Sequence, residues 1–279
     1  MYHEKDLAAI KTKYSGKTVV VKYGGNAMTG KNAAISLMDN IVLLQSLGVQ
    51  IVLVHGGGPE INAMLKKAGI ESRFVNGLRY TDSESIHIVQ MVLAGKVNKD
   101  LSLLLAQRGA KAIGVCGLDS GVIGAEKITT VDLGFVGQVK KINAKPLYDL
   151  MSMGYIPVVA TVGSDEKGNV YNINADTAAG AIAVEMKAAA FVLLTDVAGI
   201  LKDIEDAKSL IAKIDVRQAR QYMEEKVIDG GMIPKAKCCI DAVNNGVDGA
   251  YIADGRKENI FISCLIEKEG CGTLFVENM

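Results

Sequence analysis

Three observations predict an α/β fold, a three-layer sandwich with a central, mostly parallel sheet between helices. Short apolar runs rich in Val, Ile and Leu alternate with longer amphipathic stretches along most of the chain. Two of these runs, Thr18-Val-Val-Val-Lys-Tyr-Gly-Gly25 and Ile51-Val-Leu-Val-His-Gly-Gly-Gly-Pro59, close in glycine-rich turns. Each turn leads into helical sequence, and the two lie about thirty residues apart, the scale of a strand–helix–strand unit.

Strands are expected at residues 18–22, 51–55, 112–116, 155–160, 191–195 and 249–252. Each is a short run dominated by β-branched or other apolar residues. Helices are expected between them, at 32–47, 59–68, 83–107, 144–151, 176–186, 216–225 and 235–245. Residues 73–82 and 128–142 read as β-hairpins, with turns near Asn76-Gly77 and Asp132-Leu-Gly134. A further turn at Glu166-Lys-Gly-Asn169 leads into Val170-Tyr-Asn-Ile-Asn174. Hairpins beside a parallel sheet commonly wall or cover a ligand. Before the first strand, Leu7, Ile10 and Tyr14 give a turn or two of amphipathic helix.

The composition excludes several classes. With 279 residues, 49% of them hydrophobic, the chain can bury one large core, as a single domain or as two lobes sharing a sheet. Its 31 basic and 31 acidic residues cancel, so no global field draws it to nucleic acid or a membrane surface. No apolar run is long enough to span a bilayer, and the start, Met1-Tyr-His-Glu-Lys-Asp6, is unlike a signal peptide. Five cysteines without a CxxC spacing argue against a disulfide framework or zinc site and for a reducing, cytoplasmic setting. Three histidines with no ligand cluster give no metal site.

The chemistry sits at the turns. Gly24 and Gly25 leave main-chain N–H groups open to a ligand, and Lys22, at the end of an apolar run just before them, suits a phosphate bound there. A strand-end lysine that only reaches solvent is the plain alternative. His55-Gly-Gly-Gly58 is more specific, because three successive glycines cost backbone entropy that a simple connector does not need. Pro59 suits a first helical position, and the turn reads as an anion nest containing Gly57 and Gly58, which His55 orients. Lys235 follows Gly230-Gly-Met-Ile-Pro234 and falls in the first turn of a helix, where a cation opposes the helix dipole unless an anion binds there. Asn172 and Asn174 share one face if residues 170–174 are extended. On sequence physics alone, Asn174 is a helix N-cap and Asp176 a dipole-compensating acid. Arg79, on the second strand of a hairpin, has the shape to grip a carboxylate. A rival site is Gly25-Asn-Ala-Met-Thr-Gly-Lys31, which has P-loop spacing but carries Asn32 where a hydroxyl would hold Mg2+; Thr195-Asp196 would then be its acidic strand end.

Taken in order, these segments resemble the amino acid kinase family. They are Gly16-Lys-Thr-Val-Val-Val-Lys-Tyr-Gly-Gly-Asn-Ala-Met28, Val54-His-Gly-Gly-Gly-Pro59, Asn76-Gly-Leu-Arg-Tyr-Thr81, Asn172-Ile-Asn-Ala-Asp176, Leu194-Thr-Asp-Val-Ala-Gly-Ile200, Gly231-Met-Ile-Pro-Lys235 and Gly270-Cys-Gly-Thr273. The Asn-Gly-Leu-Arg and Asn-x-Asn-Ala-Asp segments resemble the branch that phosphorylates N-acetyl-L-glutamate on its γ-carboxylate, in arginine biosynthesis. The resemblance implies a single domain over residues 1–279. A lobe of about residues 1–175 would serve the amino acid and dimerisation, and one of about 176–279 would serve ATP with Mg2+. It implies Lys22 and Lys235 flanking the transferred phosphoryl group, with Asp176 organising them. It implies Gly24, Gly25, Gly57 and Gly58 lending N–H groups, Arg79 on the substrate α-carboxylate, Asn172 and Asn174 beside it, and Thr195 and Asp196 edging the nucleotide. The implied assembly is a homodimer, with a hexamer as the larger alternative. Ile10, Asn259 and Cys264 stand where arginine-inhibited members carry tyrosine, histidine and glutamate. The alternatives are a kinase of this fold acting on another carboxylate, such as an aminoadipate derivative, and a non-catalytic amino-acid-binding module.

Overall fold

The computed structural model describes residues 2–278. The chain begins with α1 (Glu4–Tyr14), β1 (Thr18–Tyr23), α2 (Lys31–Ser46), β2 (Gln50–His55) and α3 (Gly58–Lys67). Next come the short hairpin β3 (Phe74–Val75) and β4 (Leu78–Arg79), then α4 (Ser83–Gln90), a π-helical stretch Met91–Val97 and α5 (Asn98–Ala106). There follow β5 (Ala112–Cys116), β6 (Ile123–Lys127), β7 (Val136–Ile142), α6 (Lys145–Ser152), β8 (Ile156–Ala160), β9 (Val162–Ser164) and β10 (Val170–Ile173). The last third holds α7 (Ala175–Glu185), β11 (Ala190–Thr195), β12 (Lys213–Asp215), α8 (Val216–Glu224), α9 (Met232–Asn244), β13 (Ala250–Asp254), α10 (Ile260–Leu265) and β14 (Thr273–Val276).

Two compact units share the chain. One runs to Ile51 and resumes at Ala183; the other is Val52–Ile182. The first 51 residues group with the C-terminal part because β1 pairs in parallel with β11 from Val19↔Ala190 to Tyr23↔Leu194. In that unit β11 pairs in parallel with β13, and β14 closes the far side antiparallel to β13 and parallel to β12. Every residue of β1, β11 and β13 is buried, as strands covered on both faces should be. In the other unit β8 pairs in parallel with both β2 and β5. There β6, β7, β9 and β10 close into a small barrel.

Several boundaries differ from expectation. The expected hairpin at 128–142 lies earlier: β6 at Ile123–Lys127 pairs with β7, and residues 128–135 connect them. That loop is pinned by Gly134, whose φ of 67° and close approach to the Thr81 carbonyl leave no room for a side chain. The Asn76-Gly77 turn is as expected, with φ of 50° and 78°, the left-handed pair of a two-residue hairpin. The stretch 83–107 is helical, yet its middle widens into the π-helical segment, which shifts the faces presented before and after it. The helix bearing Lys235 starts at Met232, so Pro234 lies inside its first turn rather than before it. α1 is an eleven-residue helix that buries Ile10 and Tyr14, longer than the turn or two expected.

One packing constraint is testable. A methyl group added to Gly114 in β5 would overlap the Asn98 side-chain oxygen and approach Ser102 Oγ to 2.8 Å. Gly114→Ala is expected to destabilise the protein by roughly 2–4 kcal/mol in urea unfolding, as overpacking against a buried polar network does. An unchanged midpoint would show that Asn98 moves aside freely.

Candidate active site

In the unit built on β1, the predicted residues gather at the carboxyl ends of parallel strands, where ligands of open α/β sheets bind. Lys22 is buried at the end of β1, in register with Leu193 of β11. Beyond it Gly24 is extended and Gly25 turns left-handed with φ of 64°. Gly25–Thr29 then form one 3-10 turn, capped by the Tyr23 hydroxyl, which donates to the Ala27 carbonyl at 3.1 Å. The rival P-loop reading fails here, because a compact 3-10 turn is not a phosphate-wrapping loop.

Thr195 ends β11, and Asp196 follows it. Asn26 Nδ2 donates to Asp196 Oδ2 at 2.7 Å, and the Thr195 hydroxyl donates to Oδ1 at 3.2 Å. Asn26 holds the Asp196 carboxyl below the usual carboxylate range, with a smaller contribution from the nearby Lys235 charge. On the neighbouring strand, Asp254 at the end of β13 takes a bidentate pair from Arg256, at 2.8 and 2.9 Å.

The other unit assembles the second group. Gly57 precedes α3 and Gly58 opens it, one residue earlier than expected, so Pro59 stands second in the helix rather than first. The turn is held from two sides. Asn98 Nδ2 donates to the carbonyls of Val158 and Val115 at 2.8 and 3.1 Å and lies 3.1 Å from His55 Nε2. His55 Nδ1 lies 2.9 Å from the Gly56 carbonyl. The Gly56 carbonyl can only accept, so Nδ1 carries the ring proton and Nε2 is left as an acceptor, one of three that share the two Nδ2 hydrogens of Asn98; this fixes one neutral tautomer. Leu93 and Val97 of the π-helical segment pack so close to Gly57 that an added methyl would meet Leu93 Cδ2 at 2.8 Å.

Arg79 is only 7% exposed. Its guanidinium donates to Ser72 Oγ at 2.9 Å and to the Gly58 carbonyl at 3.3 Å, and it lies 4.7 Å from the Phe74 ring centre. Among the described residues no carboxylate pairs with it. Burial lowers its pKa from the ordinary arginine value. Thr81 Oγ1 donates to the Arg79 carbonyl at 3.0 Å and accepts from Asn172 Nδ2 at 3.2 Å, which ties Asn172 to the hairpin. Asn174 caps α7: its Oδ1 accepts from the backbone N–H groups of Asp176 and Thr177 at 3.0 and 3.1 Å. Asp176 therefore stands in the first turn of α7, as the sequence predicts. Ala175 lies 3.3 Å from where a Gly56 side chain would begin, so glycine turn, Arg79 hairpin and α7 start meet within one unit.

Comparison with known proteins agrees with this architecture. A model of the amino acid kinase family matches residues 17–254. The chain belongs to the amino acid kinase family. It is 50% identical over 262 residues to an acetylglutamate kinase of Clostridioides difficile, covering 94% of this chain and 92% of that one. It is 48% identical over 264 residues to an acetylglutamate kinase of Brachyspira hyodysenteriae, at 94% and 92% coverage. An N-acetylglutamate synthase of Neisseria gonorrhoeae, solved with coenzyme A and N-acetyl-glutamate, superposes with a TM-score of 0.85. At 22% identity over 99% of this chain and 63% of that longer one, that match speaks for the amino acid kinase fold alone.

Asn26, Thr81 and Asn98 escaped the sequence reading. Asn26 sits beside the glycine pair and was within reach of it. Asn98 gives no local signal, since its partners lie 17, 43 and 60 residues away.

Burial pushes the His55 pKa down from 6.5 to about 4. An unfolded chain binds a proton below 6.5 that the folded one refuses until about 4, so stability falls as pH drops through that window. The full loss approaches about 3 kcal/mol. Urea midpoints are expected to decline from pH 6.5 to about 5 in the wild type and to flatten in His55→Gln. Equal slopes for the two proteins would contradict the neutral, donating tautomer.

Proposed function

We propose that this protein is an acetylglutamate kinase, transferring the γ-phosphoryl group of ATP to the γ-carboxylate of N-acetyl-L-glutamate in arginine biosynthesis. Relatives of that name at about half identity support the reaction. Arg79 carries the acceptor assignment. A buried guanidinium without a protein carboxylate calls for an anion from the ligand, and its planar fork matches an α-carboxylate. Asn172 and the cap of α7 at Asn174 supply polar groups for the rest of the acetylated amino acid.

An ionised γ-carboxylate is already a nucleophile, so the reaction needs no general base. Its oxygen forms a bond to the γ-phosphorus while the bond from phosphorus to the β,γ-bridging oxygen breaks, and ADP leaves with that electron pair. The protein aligns the two anions and spreads the charge of the moving group. Lys22 and Lys235 counter that charge, Asp176 orients them, and the amides at Gly24, Gly25, Gly57 and Gly58 donate along the path. Thr195 and Asp196 border the nucleotide. Mg2+, when bound with the nucleotide, would supply Lewis-acid neutralisation. Such an ion is held chiefly by substrate phosphates, and Asp196 would be the carboxylate offered to it. The product is an acyl phosphate, which water would hydrolyse if admitted. This reading includes a homodimer and a cytoplasmic setting, the latter in keeping with five free thiols. Among the described residues no helix is long and apolar enough to cross a membrane.

Hydroxylamine traps acyl phosphates, so protein, ATP, Mg2+ and N-acetylglutamate should yield a hydroxamate. Product from glutamate, aspartate or N-acetyl-aminoadipate alone would reassign the acceptor. Arg79→Gln is expected to raise KM for N-acetylglutamate about 10–100-fold, with KM for ATP within about a factor of two. Its melting temperature should hold, because the lost charge had no protein carboxylate to leave behind. In Lys235→Ala, kcat should fall about 10²–10³-fold with the fold intact. A normal kcat there would remove Lys235 from the charge-shielding role.

A further inference from the structure

Two cysteines with no part in this reaction lie against each other at the end of α10. The helix stops in a left-handed residue, Glu267, with φ of 52°. The Glu267 N–H donates to the Cys264 carbonyl and the Lys268 N–H to the Ser263 carbonyl, both at 2.9 Å, the paired bonds of a Schellman stop. The Cys271 N–H then donates to the Lys268 carbonyl at 3.1 Å, and Gly270, with φ of 74°, sends the chain back toward the helix. This double turn brings Cys264 Sγ to 3.6 Å from the Cys271 carbonyl oxygen.

Cys264 is fully buried at this turn, while Cys271 is only half-buried. Hydrogen bonding to Cys271, and then burial, push the Cys264 thiol well above its ordinary pKa. Hydrogen bonding to Cys264 pushes the half-buried Cys271 thiol down. A partly accessible cysteine thus stands with a buried cysteine sulfur packed against its own carbonyl, the placement that an attacking and a resolving thiol need. Neither buried packing nor helix capping calls for such a pair.

We propose that Cys264 and Cys271 are a reversible oxidation site that takes up a hydroperoxide and closes to an intrachain disulfide. The Cys271 thiolate attacks the terminal peroxide oxygen, the O–O bond breaks, and hydroxide (or alkoxide) leaves and is protonated by solvent. The sulfur of Cys264 then attacks the resulting Cys271 sulfenic acid. The S–S bond forms as the S–O bond breaks, and the departing hydroxide takes the Cys264 proton and leaves as water. Two thiols and one hydroperoxide give one disulfide and either two waters or one alcohol and one water; a dithiol reverses the change.

The site is placed to matter. The closed loop contains Glu267, whose carboxylate pairs with Lys13 of α1 at 2.7 Å. Two residues beyond Cys271, Thr273 Oγ1 accepts from the Ile200 N–H at 2.8 Å, holding the loop that follows Asp196. Oxidation therefore pins the segment on which both α1 and that loop are fastened.

The test uses the full-length protein. Hydrogen peroxide is added, catalase removes the excess, and the protein is unfolded, alkylated with N-ethylmaleimide and mapped by mass spectrometry. The expected product links Cys264 to Cys271, unalkylated and lighter by two hydrogens, while Cys116, Cys238 and Cys239 are alkylated. Dithiothreitol should restore both thiols, and the oxidised form should unfold at higher urea than the reduced one. Cys264→Ser should leave Cys271 as a sulfenic acid that dimedone traps, and Cys271→Ser should give no cross-link. The proposal is overturned if both cysteines remain alkylatable after peroxide, if Cys271 runs on to sulfinic acid with Cys264 free, or if oxidation lowers the urea midpoint.

Discussion

The guanidinium of Arg79 carries its positive charge into a buried position where no carboxylate among the described residues pairs with it, and its surroundings are organised around that fact. A serine hydroxyl, a glycine carbonyl and the face of Phe74 satisfy part of the fork without neutralising it. Such a charge is costly to keep unless something outside the chain completes it. In the proposed reaction the substrate carboxylate would do so, and the hairpin bearing Arg79 is tied to Asn172 through Thr81.

Bare main chain is the second half of the same electrostatic design. At the turn after β2, three glycines expose the backbone, and such a backbone is floppy unless its neighbours hold it. Leu93 and Val97 press on Gly57 from one side, while Asn98 and neutral His55 hold Gly56 from the other. The π-helical widening of Met91–Val97 precedes Asn98 and shifts the faces of the helix around it. At the turn after β1 the arrangement is simpler: Tyr23 caps the 3-10 turn, and Asn26 binds Asp196. In both places side chains that never touch a substrate would keep the N–H groups where an anion can find them.

Much of the fold was legible because long apolar strands and their glycine turns carry their own signal. β1, β2, β5, β8 and β11 lie within a residue of where the apolar runs place them, and Asn76-Gly77 turns as that dipeptide should. β9, β12 and β14 were not found, being three or four residues long, too short for periodicity to speak. The barrel of β6, β7, β9 and β10 was hidden for a related reason: closure is a long-range property, and only its hairpin turns are local. Of the candidate site, the glycines, Arg79 and the cap at Asn174 stood in the sequence. The role of Asn98 did not, since an asparagine in the middle of a helix reads as solvated until partners from three distant strands surround it.

A crystal structure of the protein with N-acetyl-L-glutamate, ADP and tetrafluoroaluminate would test the account most directly. It predicts the α-carboxylate of the amino acid in a two-pronged contact with the Arg79 guanidinium, replacing solvent there. An acetylglutamate bound with that carboxylate on other groups, and Arg79 still facing only Ser72 and Gly58, would contradict it.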